Sequence, residues 1–309
     1  MAKAIKTAQQ KSDELAEQIT NKFIEAIENG LTGDGWVRPW TLSGTFPTNP
    51  TTGKDYNGMN VLMLMMVFGG GYFAGYGQWK KDKNAQVRKG ERGFIIQRPQ
   101  FRKTGKTLPS GKDEMFISGF VSAKIFHSSQ VDGWKPPIVN VNEDFKNHAR
   151  VESQIDYMIN KGVILEHGGD IAGHHPKLGK IVMPNKQQFK DEDEYYSTIL
   201  HELVHWTGTM ARLNRKKAIG ESYGRNAYAF EELVAELGAS MLCAELGVHN
   251  GYQENHAKYI SGWLTIMKGD INAIMQAGKL ASTAVDVIMG RRTLTGGKID
   301  KEVVTDLAA

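Results

Sequence analysis

The sequence predicts an α+β protein of two domains, a mixed first domain and a mainly helical second domain with a small sheet. At 309 residues the chain exceeds the size that one hydrophobic core usually reaches. Short apolar strands and glycine-rich turns fill the first half, whereas apolar runs at helical spacing fill the second. We place the domains at 1–130 and 147–295, joined by a linker at 131–146 and followed by a tail at 296–309.

Composition excludes several classes of protein. Hydrophobic content of 40% and charged content of 23% are ordinary for a soluble globular chain. The single cysteine, Cys243, lies in an apolar run and allows no disulfide within the chain, which fits a reducing compartment. The first 18 residues lack the apolar core of a signal peptide, and the most apolar run, Asn60 to Phe68, is too short to span a bilayer. We therefore expect a cytoplasmic protein with no membrane partner.

The first half begins with two predicted helices. Ser12 to Asn29 has apolar residues at helical spacing, and Asn60 to Phe68 reads as a buried helix that ends at three glycines. Gly93 to Arg98 and Met115 to Phe126 have the pattern of strands. A glycine- and lysine-rich turn is expected between them, from Phe101 to Asp113.

Positive charge is concentrated in this half. Residues 1–130 carry a net charge of +7 and residues 131–309 a net charge of −3, and the segment 78–112 alone holds 11 basic and two acidic residues. Such a segment suits a polyanion, although a solvated hairpin surface would have the same charge. Aromatic residues interleaved with lysine and arginine favour single-stranded DNA, on whose unpaired bases flat rings stack. The candidate DNA-binding residues are Trp36, Trp40, Lys54, Tyr56, Trp79, Lys80, Lys81, Arg88, Lys89 and Arg92.

The second half alternates short strands and helices. The predicted strands are 163–165 and 180–183, and we expect Ile181 to Pro184 to be a sheet edge that can hold an extended peptide. His174 and His175, in the turn between these strands, are read as surface residues rather than ligands. The predicted helices are Asn147 to Lys161, Tyr195 to Thr209, a run from Glu231 through Leu246, Glu254 to Met275, and Leu280 to Met289.

An H-E-x-x-H motif, His201 to His205, lies inside the second of these helices. Residues four apart lie about one turn apart on the same helix face, so both imidazoles can reach one metal ion. From its place beside the first ligand, Glu202 can hold a water molecule and take its proton as a general base. The motif predicts a hydrolytic site for Zn²⁺, with Mn²⁺ or another divalent ion as the alternative.

The third ligand is expected on the helix that opens with Glu231 and Glu232. A His₂Glu set leaves a fourth position open for water, as catalytic sites require. We choose Glu232, because Glu236 then follows on the same face and can orient a ligating histidine from outside the ligand shell. Glu231 is the alternative ligand.

A residue that stabilises the oxyanion is expected in the connection from Met210 to Ala229. Spacing does not choose among its tyrosines and arginines. The candidates are Arg212, Arg215, Tyr223, Arg225 and Tyr228.

Segments of both halves resemble the ArdC antirestriction family and related plasmid primases. H-E-L-V-H-W-T-G from His201, together with Tyr228 to Glu236, is similar to the zincin-like metallopeptidase domain of that family. The segments that resemble the family's N-terminal domain, which binds single-stranded DNA, are Trp36, Pro50 to Asn60, Lys89 to Gly93 and Phe126 to Gly133.

The resemblance implies a conjugative-plasmid protein that protects incoming single-stranded DNA from restriction. It also implies that His201, His205 and one of Glu231 and Glu232 hold the metal, with Glu202 as general base. Our hypothesis is therefore a metallopeptidase tethered to DNA, whose substrates are restriction-system proteins or other proteins found there. One alternative is a DNA-coating protein with a structural or partner-binding metal domain. Another is a nuclease, which is disfavoured because nuclease sites usually gather several carboxylates.

Overall fold

The computed structural model describes residues 8–29, 31–32, 35–36, 46–82, 85–107, 111, 113–136, 148–248, 257–292, 294–295 and 298–299. Helices and strands occur in both halves, and the predicted α+β class is confirmed. Within this part of the chain no helix combines the length and the apolar content needed to cross a bilayer. The lone cysteine, Cys243, is buried with a free thiol.

The first half contains three helices and nine strands in its described residues. They are α1 (Ala8–Asn29), β1 (Leu31–Thr32), β2 (Gly35–Trp36), β3 (Thr48–Asn49), β4 (Lys54–Asp55), α2 (Met59–Phe68), β5 (Phe73–Gly75), α3 (Tyr76–Asp82), β6 (Gln86–Val87), β7 (Phe94–Thr107), β8 (Asp113–His127) and β9 (Val131–Asp132).

The helix predictions for this half are confirmed. α1 begins four residues before the predicted start and ends at Asn29 as predicted. α2 buries five consecutive residues, Val61 to Met65, because its run is apolar on all sides. Gly69 ends α2 in the left-handed conformation, with φ of 72°, a conformation that glycine adopts without steric cost.

The central sheet of the first half has the strand order β5-β8-β7, and both pairs are antiparallel. The expected turn from Phe101 to Asp113 is wrong in extent, since β7 continues to Thr107 and β8 begins at Asp113. Arg102 pairs with Phe116 and Lys103 with Met115, with register shifts on either side. The ladder persists through these polar positions because its hydrogen bonds come from the main chain.

The second half contains six helices and five strands in its described residues. They are α4 (Ala149–Asn160), β10 (Ile164–His167), β11 (Gly173–His175), β12 (Lys180–Met183), α5 (Glu192–Thr207), α6 (Arg215–Tyr223), α7 (Ala227–Leu246), α8 (Ala257–Gly269), α9 (Ala273–Ile288), β13 (Leu294–Thr295) and β14 (Lys298–Ile299). The last two predicted helices are shifted, since α8 ends at Gly269 and α9 begins seven residues before Leu280.

The strand order of the small sheet contradicts the predicted edge strand. Its order is β10-β12-β11, so the strand that contains Ile181 is central rather than an edge. β12 pairs in parallel with β10 and antiparallel with β11. Ile181 and Met183 are buried, which explains why the apolar strand lies in the middle. The edge strand next to α5 is β11.

The principal hydrophobic core draws on both halves of the chain. Ile19, Phe23 and Ile27 of α1 and Leu62 of α2 lie in one cluster with the buried residues of α5, α7, α8 and α9. The Thr20 hydroxyl of α1 donates a 2.6 Å hydrogen bond to the carbonyl of Ile271. The first helix is therefore packed on the helices of the second half, and the domain boundaries at 130 and 147 stay predictions.

Candidate metal centre

α5 carries the H-E-x-x-H motif. It begins at Asp191, whose side chain accepts a 2.9 Å hydrogen bond from the main-chain N–H of Glu194. Three acidic residues follow in its first turn, where the helix dipole favours negative charge. Most residues of α5 are buried, and His201 and Glu202 are 8% and 9% exposed. The motif histidines lie in the protein interior, with little access to solvent.

α7 brings the acidic residues to these histidines. Glu231, Glu232 and Glu236 are all buried, the last completely. α7 contacts α5 closely at Gly238, where a Cβ atom would lie only 2.8 Å from Val204 Cγ2. The absence of a side chain at this crossing lets the two ligand-bearing helices approach each other.

Candidate ligand atoms of three residues meet between the helices. His201 Nε2 lies 3.1 Å from His205 Nε2 and 3.5 Å from Glu232 Oε2, and His205 Nε2 lies 3.4 Å from Glu232 Oε1. Ligands about 2.0–2.1 Å from a tetrahedral ion are separated by about 3.3 Å, which is close to these separations and suits a divalent metal. Among the described residues, these three form a His/Cys/Asp/Glu group with metal-ligand spacing.

Each histidine has a carboxylate near its other ring nitrogen. His205 Nδ1 lies 3.1 Å from Glu231 Oε1, and His201 Nδ1 lies 3.9 Å from Glu236 Oε2. A proton on Nδ1 that is held by a carboxylate leaves Nε2 as the metal-binding atom. Glu231, the alternative ligand in the sequence, thus contacts His205 at the ring nitrogen that faces away from the other ligands. Glu236 lies near the corresponding nitrogen of His201, the position predicted for a residue that orients a histidine.

Glu231 is itself held by a buried arginine that sequence reasoning did not connect with it. Arg215 Nε and Nη2 donate to the two oxygens of Glu231 at 3.0 and 2.7 Å. The same guanidinium donates to the Val204 carbonyl and to the Thr207 hydroxyl. A Cβ on Gly208 would lie 2.7 Å from Arg215 Cζ, so the threonine and glycine after the motif make a place for this side chain.

The electrostatics of the site favour a cation. Burial disfavours the charged form of His205, but hydrogen bonds to Glu231 and Glu232 outweigh it and raise the pKa of His205 to about 9. Burial also disfavours the charged form of Glu232, yet hydrogen bonds from the two histidines bring its pKa below the usual range. Four acidic residues therefore surround the two histidines, and the Arg215 side chain balances only part of their charge.

Glu202 faces the edge of the small sheet. The main-chain N–H of His174, on β11, donates a 2.7 Å hydrogen bond to Glu202 Oε2. The His174 and His175 side chains are outside the ligand group. His175 is exposed as predicted, whereas His174 is half-buried and its Nε2 is buried. The edge strand therefore lies directly beside the expected general base.

The structure reduces the number of residues that are candidates for stabilising the oxyanion. Arg215 is committed to Glu231, and the Tyr223 hydroxyl lies 3.1 Å from Asp270 Oδ2. The Arg212 guanidinium lies 3.3 Å from the ring centre of Trp206. Tyr228 is 63% exposed and precedes Glu232 by four residues on α7, which puts both on the same helix face.

One of the predicted DNA-binding residues is buried, and another is held in ion pairs at the surface. Trp79 is fully buried, and its indole N–H donates a 3.0 Å hydrogen bond to the Phe126 carbonyl. The expectation that Trp79 stacks on a base is therefore wrong, since its ring packs in a core cluster with Trp134. Arg88 forms ion pairs with Glu91 and Asp132, which ties its loop to β9.

The remaining predicted DNA-binding residues differ in their exposure to solvent. Tyr56 is half-buried, and its hydroxyl donates to the Phe73 carbonyl at 2.9 Å. Trp36 belongs to β2 by its main chain, and both its side chain and Trp40 lie outside the described residues. The predicted cations that are exposed to solvent are Lys54, Lys80, Lys81, Lys89 and Arg92.

Two protein families match the chain. Residues 13–122 match the N-terminal domain of anti-restriction factor ArdC, and residues 152–280 match the zincin-like metallopeptidase domain. These ranges fall in the two halves of the chain and confirm that it has two domains of the predicted kinds.

Relatives share both domains. Protein y4eC of Sinorhizobium fredii is 32% identical over 289 residues, which cover 88% of this chain and 91% of that protein. A DNA primase TraC of Escherichia coli is 33% identical over 300 residues. That match covers 88% of this chain but only 27% of the primase.

Two crystal structures have the same fold. The metal-free ArdC antirestriction protein of plasmid R388 is 27% identical with a TM-score of 0.67, and the match covers 89% of this chain and 97% of that one. Its Mn(II)-bound structure has a TM-score of 0.64, with the same identity and coverage. The solved manganese complex and the ligand triangle together point to a divalent metal at this centre.

Proposed function

This chain belongs to the family that joins the N-terminal domain of anti-restriction factor ArdC to a zincin-like metallopeptidase domain, and we propose that it is an antirestriction protein that binds single-stranded DNA and cleaves peptide bonds. The observation that carries the proposal is the His201, His205 and Glu232 triangle with Glu202 beside it. A solved relative of the same fold is a plasmid antirestriction protein, which supports the antirestriction role. The proposal places this role in the cytoplasm and on a conjugative plasmid.

His201, His205 and Glu232 would hold the ion, and zinc is the metal that this donor set fits best. A bound divalent ion would lower the pKa of water and polarise a carbonyl. Glu202 takes the proton of the attacking water and later gives it to the leaving amine. The His174 N–H fixes the Glu202 carboxylate in place for this transfer.

Two further features suit a peptide substrate. β11 is a sheet edge beside Glu202, and an extended peptide can add to such an edge through main-chain hydrogen bonds. Tyr228, on the Glu232 face of α7, has an exposed ring whose hydroxyl can donate to the developing oxyanion. Tyr228→Phe should therefore lower kcat and leave KM nearly unchanged.

DNA binding would serve to bring the site to its substrates. The exposed cations of α3 and of the loop after β6, which include Lys80, Lys81, Lys89 and Arg92, supply contacts for phosphates. A protein already bound to the same strand would meet the tethered peptidase at high effective concentration. Proteins of the restriction system are the substrates that an antirestriction role requires.

Glu202→Gln tests the hydrolytic mechanism. The variant should retain its metal, measured by mass spectrometry, while peptidase activity falls about 10²–10⁴-fold because the general base is lost. Protection of unmodified plasmid DNA entering a restricting host should fall with it. The matched control is Glu221→Gln, an exposed glutamate on α6, which should change none of these quantities.

A different result would favour the alternative function. If Glu202→Gln keeps its metal and protects incoming DNA as well as the unchanged protein does, hydrolysis is not the mechanism. The protein would then be a DNA-coating protein whose metal domain stabilises the fold or binds a partner.

A further inference from the structure

β7 and β8 form a two-stranded ribbon beyond the rest of their sheet. β5 pairs only with residues 125–127 of β8, whereas the β7–β8 ladder continues from Phe94 to Thr107. From the proposed DNA binding, on which this inference rests, we infer that one face of this ribbon is a binding surface for single-stranded DNA. The ribbon face consists of Arg98, Arg102, Phe116 and Val121.

The strand register assigns these four residues to one face. Arg98 is paired with Val121 and Arg102 with Phe116, and directly paired residues of an antiparallel ladder share a face. Side chains two, four or six residues apart on a strand point to the same face. Arg98 is two residues and Arg102 six residues after Ile96, so both lie on the face that Ile96 buries in the core. Lys103 and Phe120 alternate to the opposite face, where Phe120 pairs with Pro99.

The ribbon face is exposed and carries positive charge. Phe116 is 39% and Val121 is 38% exposed, and both arginines are exposed. Among the described residues, neither arginine makes an ion pair, whereas Lys103 on the opposite face is bound to Asp113 at 2.6 Å. Both guanidinium groups are therefore available to phosphates, which they contact with two hydrogen bonds at once.

The composition of the face favours a single strand over a duplex or a protein. A phenylalanine ring offers a flat surface on which any unpaired base can stack, but the bases of a duplex are already stacked on each other. The two arginines disfavour an apolar protein partner and suit a polyanion. Arg98 and Arg102 are separated by about 13 Å along the strand, so one nucleic-acid strand can contact both.

The face leads to a cavity between the two halves of the chain. Arg98 lines this cavity of about 260 Å³ together with Lys54 and Tyr56, two of the predicted DNA-binding residues. Other walls come from Met241 of α7 and Val285 of α9. The lining also includes the carboxylates of Asp55, Glu245 and Asp286, so the inferred phosphate contacts lie on the ribbon face and not inside the cavity.

The test compares matched substitutions on the two faces. Fluorescence anisotropy with a labelled oligothymidylate measures affinity for the full-length protein at several salt concentrations. Phe116→Ala should weaken binding about 5- to 150-fold, since it removes a stacking surface. Arg98→Ala with Arg102→Ala should weaken binding and reduce the salt slope by about 1.4, because two phosphate contacts are lost.

The opposite face provides the controls. Phe120→Ala removes a more exposed phenylalanine from the same strand, and Lys103→Ala with Lys124→Ala removes the same charge from the other side. Both controls should bind nearly as the unchanged protein does. Circular dichroism verifies folding, and Phe116→Leu, which keeps apolar bulk but loses the ring, replaces Phe116→Ala if that variant does not fold.

The outcomes separate this inference from the proposed function. If the unchanged protein binds the oligonucleotide and the ribbon-face variants bind equally well, the inference fails while the proposed function stands. Equal losses from both faces would also overturn it, because they would reflect net charge alone. If the unchanged protein prefers duplex DNA through this face, the single-strand assignment is wrong. No binding by the unchanged protein would remove the DNA part of the proposed function as well.

Discussion

At the scale of single residues, the carboxylate of Glu231 connects a candidate metal ligand to a buried cation. It accepts from His205 Nδ1 on one side and from the Arg215 guanidinium on the other. Outer partners of this kind fix the orientation of a ligand and the position of its proton. Glu231 thus contacts His205 at Nδ1, while Glu232, its neighbour in sequence, faces the Nε2 atoms of both histidines.

We therefore expect Glu231→Gln to lower metal affinity about 10–100-fold, because the amide cannot balance Arg215 and holds His205 less firmly. Titration of metal-free protein with Zn²⁺ measures the effect. Glu245→Gln, which removes a carboxylate from the same helix away from the site, is the control and should keep the affinity of the unchanged protein. Equal affinities for all three proteins would show that Glu231 does not position His205.

The metal-binding motif and Trp79 differ in how far the local sequence determines their surroundings. The spacing of His201, Glu202 and His205 follows from local helix geometry, so their arrangement could be predicted from five consecutive residues. Whether a tryptophan stacks on DNA or packs in a core depends on distant partners. Trp79 packs with Trp134, 55 positions later, and nothing in the local sequence around Trp79 indicates this contact.

At the scale of elements, the site depends on the close contact between α5 and α7. Gly238 allows this contact, because any Cβ there would overlap Val204. The residue lies inside a helix, where glycine otherwise costs about 0.5–1 kcal/mol relative to alanine. The tight crossing offsets that cost by bringing Glu232 to the two histidines.

Gly238→Ala should lower the free energy of unfolding by about 1–3 kcal/mol, since the added methyl group overpacks the crossing. Chemical denaturation measures this change. Gly220→Ala is the matched control, because Gly220 also lies in a helix but has open space around its Cβ position, and it should stabilise the protein slightly. Val204→Ala combined with Gly238→Ala should recover part of the loss; a destabilisation independent of Val204 would contradict this explanation.

At the scale of the whole molecule, the first helix is part of the core of the second half. Phe23 of α1 is fully buried in the cluster that also contains residues of α5, α7 and α9. Glu28 of α1 and Lys268 of α8 form a 2.8 Å ion pair at the edge of this contact. The two halves of the chain are thus joined through packed side chains as well as through the chain itself.

Phe23→Ala should therefore destabilise the whole protein by about 3–5 kcal/mol, the usual cost of removing a buried aromatic ring. The midpoint of unfolding measured by circular dichroism and the midpoint measured by loss of bound metal should shift together. Phe120→Ala, which removes an exposed ring, serves as the control. If metal release is unaffected by Phe23→Ala, α1 does not support the metal centre.

The sequence alone determined the fold class, the positions of most helices and the central motif, because these depend on short-range periodicity. It also limited the third ligand to two neighbouring glutamates. Only the tertiary structure put Glu232 beside the Nε2 atoms of both histidines and Glu231 beside Arg215. It also buried Trp79 and put β11 rather than β12 at the sheet edge. These features depend on which distant segments pack together, and that choice is set by the shape of the whole core.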